Sequence, residues 1–60
     1  MRYEATFRSG NMELENEADD PQPLRQWIAC LLGEYPAPSV IFIIDTEEHK
    51  VIFEEKNDTT

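Results

Sequence analysis

Residues 40–44 read VIFII, five β-branched or aromatic side chains in succession, and residues 51–53 read VIF. An extended chain turns successive side chains to opposite faces, so strands of this composition are apolar on both sides. A strand with one solvated face would alternate apolar and polar residues instead. The polar stretch DTEEHK joins the two runs, which makes them a hairpin. One face of that hairpin must cover a core. The other is either covered by something outside this short chain or left as an apolar patch.

A register can be written for it. With Asp45 opposite Lys50 and a turn over residues 46–49, Ile44 faces Val51 and Phe42 faces Phe53 on one side. Ile43 faces Ile52 on the other, with Ile41 beside them opposite Glu54. This reading expects Val40, Phe42, Ile44, Val51 and Phe53 in the core and Ile41, Ile43 and Ile52 on the outer face. It also makes Asp45 and Lys50 a cross-strand charge pair.

The chain has 60 residues, and a chain of that size buries only about 60% of the surface its unfolded form exposes. Small domains commonly depend on disulfides, a metal or a partner chain. Cys30 is the single cysteine, which rules out an internal disulfide. No Cys or His spacing suits a structural zinc. Self-association, a partner protein or an unusually well-packed core is what remains, and a homodimer or an obligate complex is expected.

The other elements follow from periodicity. Residues 2–8 alternate, with Tyr3, Ala5 and Phe7 on one side and Arg2, Glu4, Thr6 and Arg8 on the other. Ser9-Gly10-Asn11 is a turn signal, after which Met12 and Leu14 alternate with Glu13, Glu15 and Glu17. Either Ser9-Gly10 or Gly10-Asn11 can be the loop of this first hairpin. The first choice sets Phe7 against Met12, the second sets Phe7 against Leu14 and Arg8 against Glu13. Both place Glu4 opposite another glutamate, Glu15 or Glu17, which costs stability.

A helix follows within residues 21–33. Asp20 with Pro21, or Gln22 with Pro23, can start it. Leu24, Trp27, Ile28, Leu31 and Leu32 form a core-facing stripe, and Gly33 is the expected C-cap. Pro36 and Pro38 make the next connector extended. The expected fold is α+β, in the order β-β-α-β-β, with one four-stranded mostly antiparallel sheet and a single helix on one face. A right-handed crossover sets the third strand beside the first or beside the second; strand order 2-1-3-4 is favoured because it puts the most apolar strand inside. Residues 1–56 make one domain, and residues 57–60 are a polar tail expected to fray.

Thirteen acidic residues face five basic ones, a formal net charge of -8. Such a chain repels nucleic acid and anionic membranes alike, so its expected partner is a basic protein surface. The N-terminus lacks the apolar stretch of a signal peptide, and the longest apolar run is too short to span a bilayer. With a lone thiol, these features place the chain in the cytoplasm.

Candidate chemistry is sparse. His49 sits in a solvated turn, Cys30 lies on the flank of the helix, and Trp27 belongs to the core stripe. No catalytic constellation, phosphate-binding loop or metal-ligand set is present, so no enzymatic activity, cofactor or metal is expected. Glu13, Glu15 and Glu17, with Asp19 next in line, share one face of a strand at roughly 6.6–6.8 Å intervals. That spacing is on the scale of successive phosphates, so the row can imitate a nucleic-acid backbone, with Glu4 adding to it. Alternatively, such glutamates keep an edge strand from aggregating.

In size, charge and architecture the chain resembles the short acidic proteins with which phages and mobile elements disable host enzymes. The leading expectation is a stoichiometric inhibitor that covers the basic surface of a nucleic-acid-handling enzyme. Glu4, Glu13, Glu15, Glu17, Ile41, Ile43, Ile52 and Glu54 would form the contact. A homodimeric accessory protein, or an antitoxin-like or regulatory subunit, is the alternative.

Overall fold

The computed structural model describes residues 1–56; the tail at residues 57–60 lies outside the described residues. Turn chemistry at Gly10 decides the first hairpin. Strands β1 (Tyr3–Ser9) and β2 (Met12–Ala18) pair antiparallel with Phe7 opposite Leu14, Arg8 opposite Glu13 and Ser9 opposite Met12. The loop is therefore Gly10-Asn11. Gly10 has a φ of 62°, whereas Asn11 keeps a negative φ. A positive φ at the first loop position alone is the type II′ arrangement, which glycine enters without a Cβ clash.

Helix α1 (Pro21–Glu34) begins at Asp20, whose carboxylate accepts the Gln22 N–H at 3.1 Å, with Pro21 in the first helical position. Proline fits there because its missing N–H would have no partner in the helix. The other end differs from the sequence expectation. Gly33 lies inside the helix, and Tyr35 is the cap, its N–H donating to the Leu31 carbonyl at 2.7 Å. The cause is Pro36, whose ring drives the preceding residue out of helical geometry. Tyr35 has φ -127° and ψ 80°.

Strands β3 (Val40–Asp45) and β4 (Lys50–Lys56) complete one sheet in the order β2-β1-β3-β4, with antiparallel neighbours throughout. The helix lies on one face of it, in the expected β-β-α-β-β order. Leu24 and Ile28 are its buried residues, and Trp27, Leu31 and Leu32 pack against the core with part of their surface exposed.

Apart from Phe53, which packs against the core as expected, the two faces of the second hairpin are the reverse of the sequence expectation. Ile41 and Ile43 are fully buried and join Ala5, Phe7, Leu24 and Ile28 in the core. Val40, Phe42 and Ile44 are half-buried and turn away from the helix, and Val51 is exposed. The reason is the pairing of β3 with β1. Ala5 stands opposite Ile43 and Phe7 opposite Ile41, and neighbouring residues in a sheet share a face. The side of β1 with Ala5 and Phe7 faces the helix, so Ile41 and Ile43 face it too.

Strand β4 departs as well. Lys50 faces Asp45 and Val51 faces Ile44, but an irregularity at Ile43/Ile44 then shifts the ladder. Phe53 stands opposite Ile43, Glu54 opposite Phe42 and Glu55 opposite Ile41. Ile52 is the extra residue of this bulge, and both Ile52 and Phe53 pack against the core. Bulges of this kind twist an edge strand and interrupt its ladder. Of the three isoleucines assigned to an outer patch, Ile41, Ile43 and Ile52, all belong to the core side.

The β3–β4 turn closes on His49, which at φ 54° is the single non-glycine residue with positive φ among the described residues. A side chain with a Cβ loses roughly 1–2 kcal/mol in that conformation. Glycine relieves the clash at some cost in chain entropy. His49→Gly is expected to raise stability by up to about 1 kcal/mol. The check is a higher urea midpoint with an unchanged slope, and His49→Val should move the midpoint the other way.

Candidate interaction surface

The sheet face turned away from α1 carries side chains that the strand registers arrange in three rows. One row runs Glu17, Glu4, Ile44, Val51; the next runs Glu15, Thr6, Phe42, Glu54; the third runs Glu13, Arg8, Val40. The face therefore has two halves. Over β2 and β1 it is carboxylate-rich, and over β3 and β4 it is a strip of Val40, Phe42, Ile44 and Val51, with Glu54 beside Phe42. Val51 is 50% exposed. An outer apolar patch beside acidic side chains thus exists, built from the opposite set of β3 residues to the one expected.

The acidic half is not uniform. Arg8 donates to the Glu13 carboxylate at 2.7 Å, and both side chains are about half exposed. Glu17 lies 3.6 Å from the N-terminal ammonium. No basic side chain among the described residues pairs with Glu4 or Glu15. Glu4 and Glu17 stand directly opposite each other, an arrangement that costs stability. Glu4, Thr6, Glu15 and Glu17, with Ala5 and Asn16, line an open concavity of about 420 Å3. A row of three equivalent carboxylates along β2 is therefore not what the surface presents. Arg8 largely offsets Glu13 and the N-terminal ammonium partly offsets Glu17, so the charge without a cationic partner is that of Glu4 and Glu15, with Glu17 beside them.

A second electrostatic centre joins the chain's beginning to the β3–β4 turn. Asp45 is only 3% exposed. Its carboxylate accepts the Arg2 guanidinium through Nε at 3.2 Å and Nη2 at 3.0 Å, and the N–H groups of Glu47 and Glu48 at 3.0 and 3.2 Å. The Arg2 backbone carbonyl in turn accepts the Thr46 N–H at 2.8 Å and its hydroxyl at 2.6 Å. Lys50 stands opposite Asp45 in the ladder, but the carboxylate is held by Arg2 instead of Lys50. The Arg2 hydrogen bond keeps the Asp45 carboxyl below its ordinary range, aided by the two backbone N–H groups and opposed by burial. The same bond pushes the Arg2 guanidinium further up. Four N–H donors and burial of the carboxylate make this cluster a clasp between the chain's beginning and the β3–β4 turn.

His49 is exposed in its turn, and Cys30 is exposed on α1. Among the described residues no group of three or more His, Cys, Asp or Glu side chains can hold a metal ion. No helix among them is long and apolar enough to cross a membrane. Comparison with protein-family models, with curated proteins and with solved structures finds no match.

Proposed function

We propose that this chain is a stoichiometric protein-binding module, an inhibitor of the kind used by phages and mobile elements. It covers a basic, nucleic-acid-binding surface of a host enzyme in the cytoplasm. The observation that carries this reading is the outer sheet face. One helix covers only one side of a four-stranded sheet, and the uncovered side joins unbalanced carboxylates to an apolar strip. Exposed apolar surface beside charge is a frequent mark of protein interaction sites. Glu4 supports the reading further. It opposes Glu17 at a cost to the fold, which a role in solubility alone would not need.

The imitation of nucleic acid is carried here by Glu4, Glu15 and Glu17, with Glu13 contributing little because Arg8 already neutralises it. The test is competition on an enzyme captured with this chain from a host lysate. Nucleic acid should displace the chain from it. Glu4→Gln, Glu15→Gln and Glu17→Gln together should weaken the complex at least about tenfold while leaving the fold intact, whereas Glu13→Gln should change it less than about twofold. Association should slow as salt rises, because charges are screened beyond about 8 Å at physiological ionic strength. An enzyme that binds nucleic acid and this chain at once, without competition, would defeat the proposal.

A further inference from the structure

The two halves of the outer face restrict what can cover it. We infer that its occupant is a basic amphipathic helix on the partner protein. The helix lies along β3 with its apolar side on Val40, Phe42, Ile44 and Val51, and its cationic flank reaches over Glu4, Glu15 and Glu17. This rests on the protein-binding reading above and adds the shape and chemistry of the contact.

Three observations lead there. First, a sheet face is covered by a helix or by another sheet, and the opposite face of this sheet already accepts a helix, α1. Second, the strip suits a helix in length. Residues 40–44 span about 13 Å of strand, which a helix covers in about nine residues. Third, the charge lies beside the strip and not within it. Glu4 is the cross-strand neighbour of Ile44, and Thr6, whose other neighbour is Glu15, is that of Phe42. A helix seated on the strip therefore runs its flank beside the carboxylates. Arginine or lysine there can rest its aliphatic stem on Ile44 or Phe42 and place its charge over the concavity.

A second copy of the chain fits less well. Full overlap of the two outer faces would bring Glu4, Glu15 and Glu17 of both copies into one interface. Overlap of the apolar halves alone would use only four side chains from each copy, three of them already half-buried. That is far short of the roughly 800 Å2 per partner of a standard interface.

The test uses a lactam-bridged helical peptide of about 14 residues, long enough to cover the strip. It carries leucines at i, i+3, i+4 and i+7 and arginines along one flank. A second peptide has glutamines in place of the arginines. Binding is followed by amide and methyl chemical shifts of the isotopically labelled chain. The arginine peptide is expected to bind saturably, moving the signals of Glu4, Thr6, Glu15, Phe42, Ile44 and Val51 and sparing those of α1. The glutamine peptide should bind at least about tenfold more weakly, and Val51→Ser and Phe42→Ser should each weaken the arginine peptide about tenfold. If Phe42→Ser disturbs the fold, Val51→Ser carries the test, because that side chain is half exposed. Absence of saturable binding, equal binding of both peptides, or self-association that Val51→Ser removes and that blocks the peptide would each overturn the inference. Peptide binding without nucleic-acid competition at the captured enzyme removes the inhibitor reading alone. Competition without peptide binding removes this inference alone.

Discussion

Ile43→Glu is expected to abolish folding, whereas Val51→Glu leaves the fold in place. The two positions are close in the same hairpin and both are apolar, so their difference tests which face of the sheet is the core. Ile43 has no exposed surface and stands between Ala5 on β1 and Phe53 on β4. Replacing it by glutamate removes a buried isoleucine, about 1.5–3 kcal/mol, and sets a carboxylate among apolar side chains, which adds several kcal/mol. A chain of this length has a total stability on the order of 3–9 kcal/mol, so the loss matches or exceeds it. Even Ile43→Ala should cost about 2–5 kcal/mol. Val51 stands at a sheet edge with half its surface in water, where substitutions usually change stability by no more than about 0.5 kcal/mol. Far-ultraviolet circular dichroism and urea titration of the two variants decide the matter. A folded Ile43→Glu beside an unfolded Val51→Glu would mean that the faces are the other way round.

That pair of positions also shows where the sequence is silent. In residues 2–8 the alternation of Tyr3, Ala5 and Phe7 with Glu4, Thr6 and Arg8 tells the buried side from the solvated one. In VIFII both sides are apolar, so periodicity identifies a strand and says nothing of its parity. Parity comes from the contact of β3 with β1, between residues 32 or more apart in the chain. The bulge at Ile52 hides for a related reason, because an extra apolar residue in an apolar run leaves no mark. The handedness of the crossover narrows the strand order to β3 beside β1 or beside β2, and burial of the most apolar strand favours the first, which is the order found; the start of α1 follows from Asp20 and Pro21. The end of α1 was misread, because the pre-proline restriction on Tyr35 is a stronger local effect here than the glycine at position 33 taken as the cap.

The acidic half of the outer face was more legible than the apolar half. Glu13, Glu15 and Glu17 alternate with Met12 and Leu14, so they share a side whatever β2 pairs with. Their unequal charge balance was not legible, because it depends on the loop. Only the Gly10-Asn11 loop brings Arg8 opposite Glu13. Ser9-Gly10 would have set Glu13 opposite Thr6, Glu15 opposite Glu4 and Glu17 opposite Arg2. A turn two residues long thus decides which glutamates present unbalanced charge. The functional proposal accordingly moves from the β2 row to the group formed by Glu4, Glu15 and Glu17.

The clasp at Asp45 gives the second large effect. Arg2 precedes β1 and Asp45 ends β3, and they meet because Tyr3 stands opposite Asp45 in the ladder. The carboxylate accepts four N–H groups in a nearly dry position. Asp45→Ala leaves the Glu47 and Glu48 N–H groups and the Arg2 guanidinium without their acceptor, and it frees both the turn and the start of β1. A Tm lower by about 10 °C or more is expected. Asp45→Asn keeps the size and one acceptor oxygen but loses the charge, so its deficit should lie between wild type and alanine. The pH dependence follows from the direction of the shift. The folded carboxyl titrates below its ordinary value of 3.8, so the unfolded chain binds this proton first as pH falls. The stabilisation from Asp45 is therefore fully present above the unfolded value and is lost as pH falls through the folded one. The Tm gap between wild type and Asp45→Asn should stay constant from neutral pH to about pH 5. It should narrow below about pH 4, where the unfolded chain takes up this proton before the folded carboxyl does. A gap that stays unchanged down to pH 2 would show that the charge of Asp45 is not what holds Arg2 and the turn together.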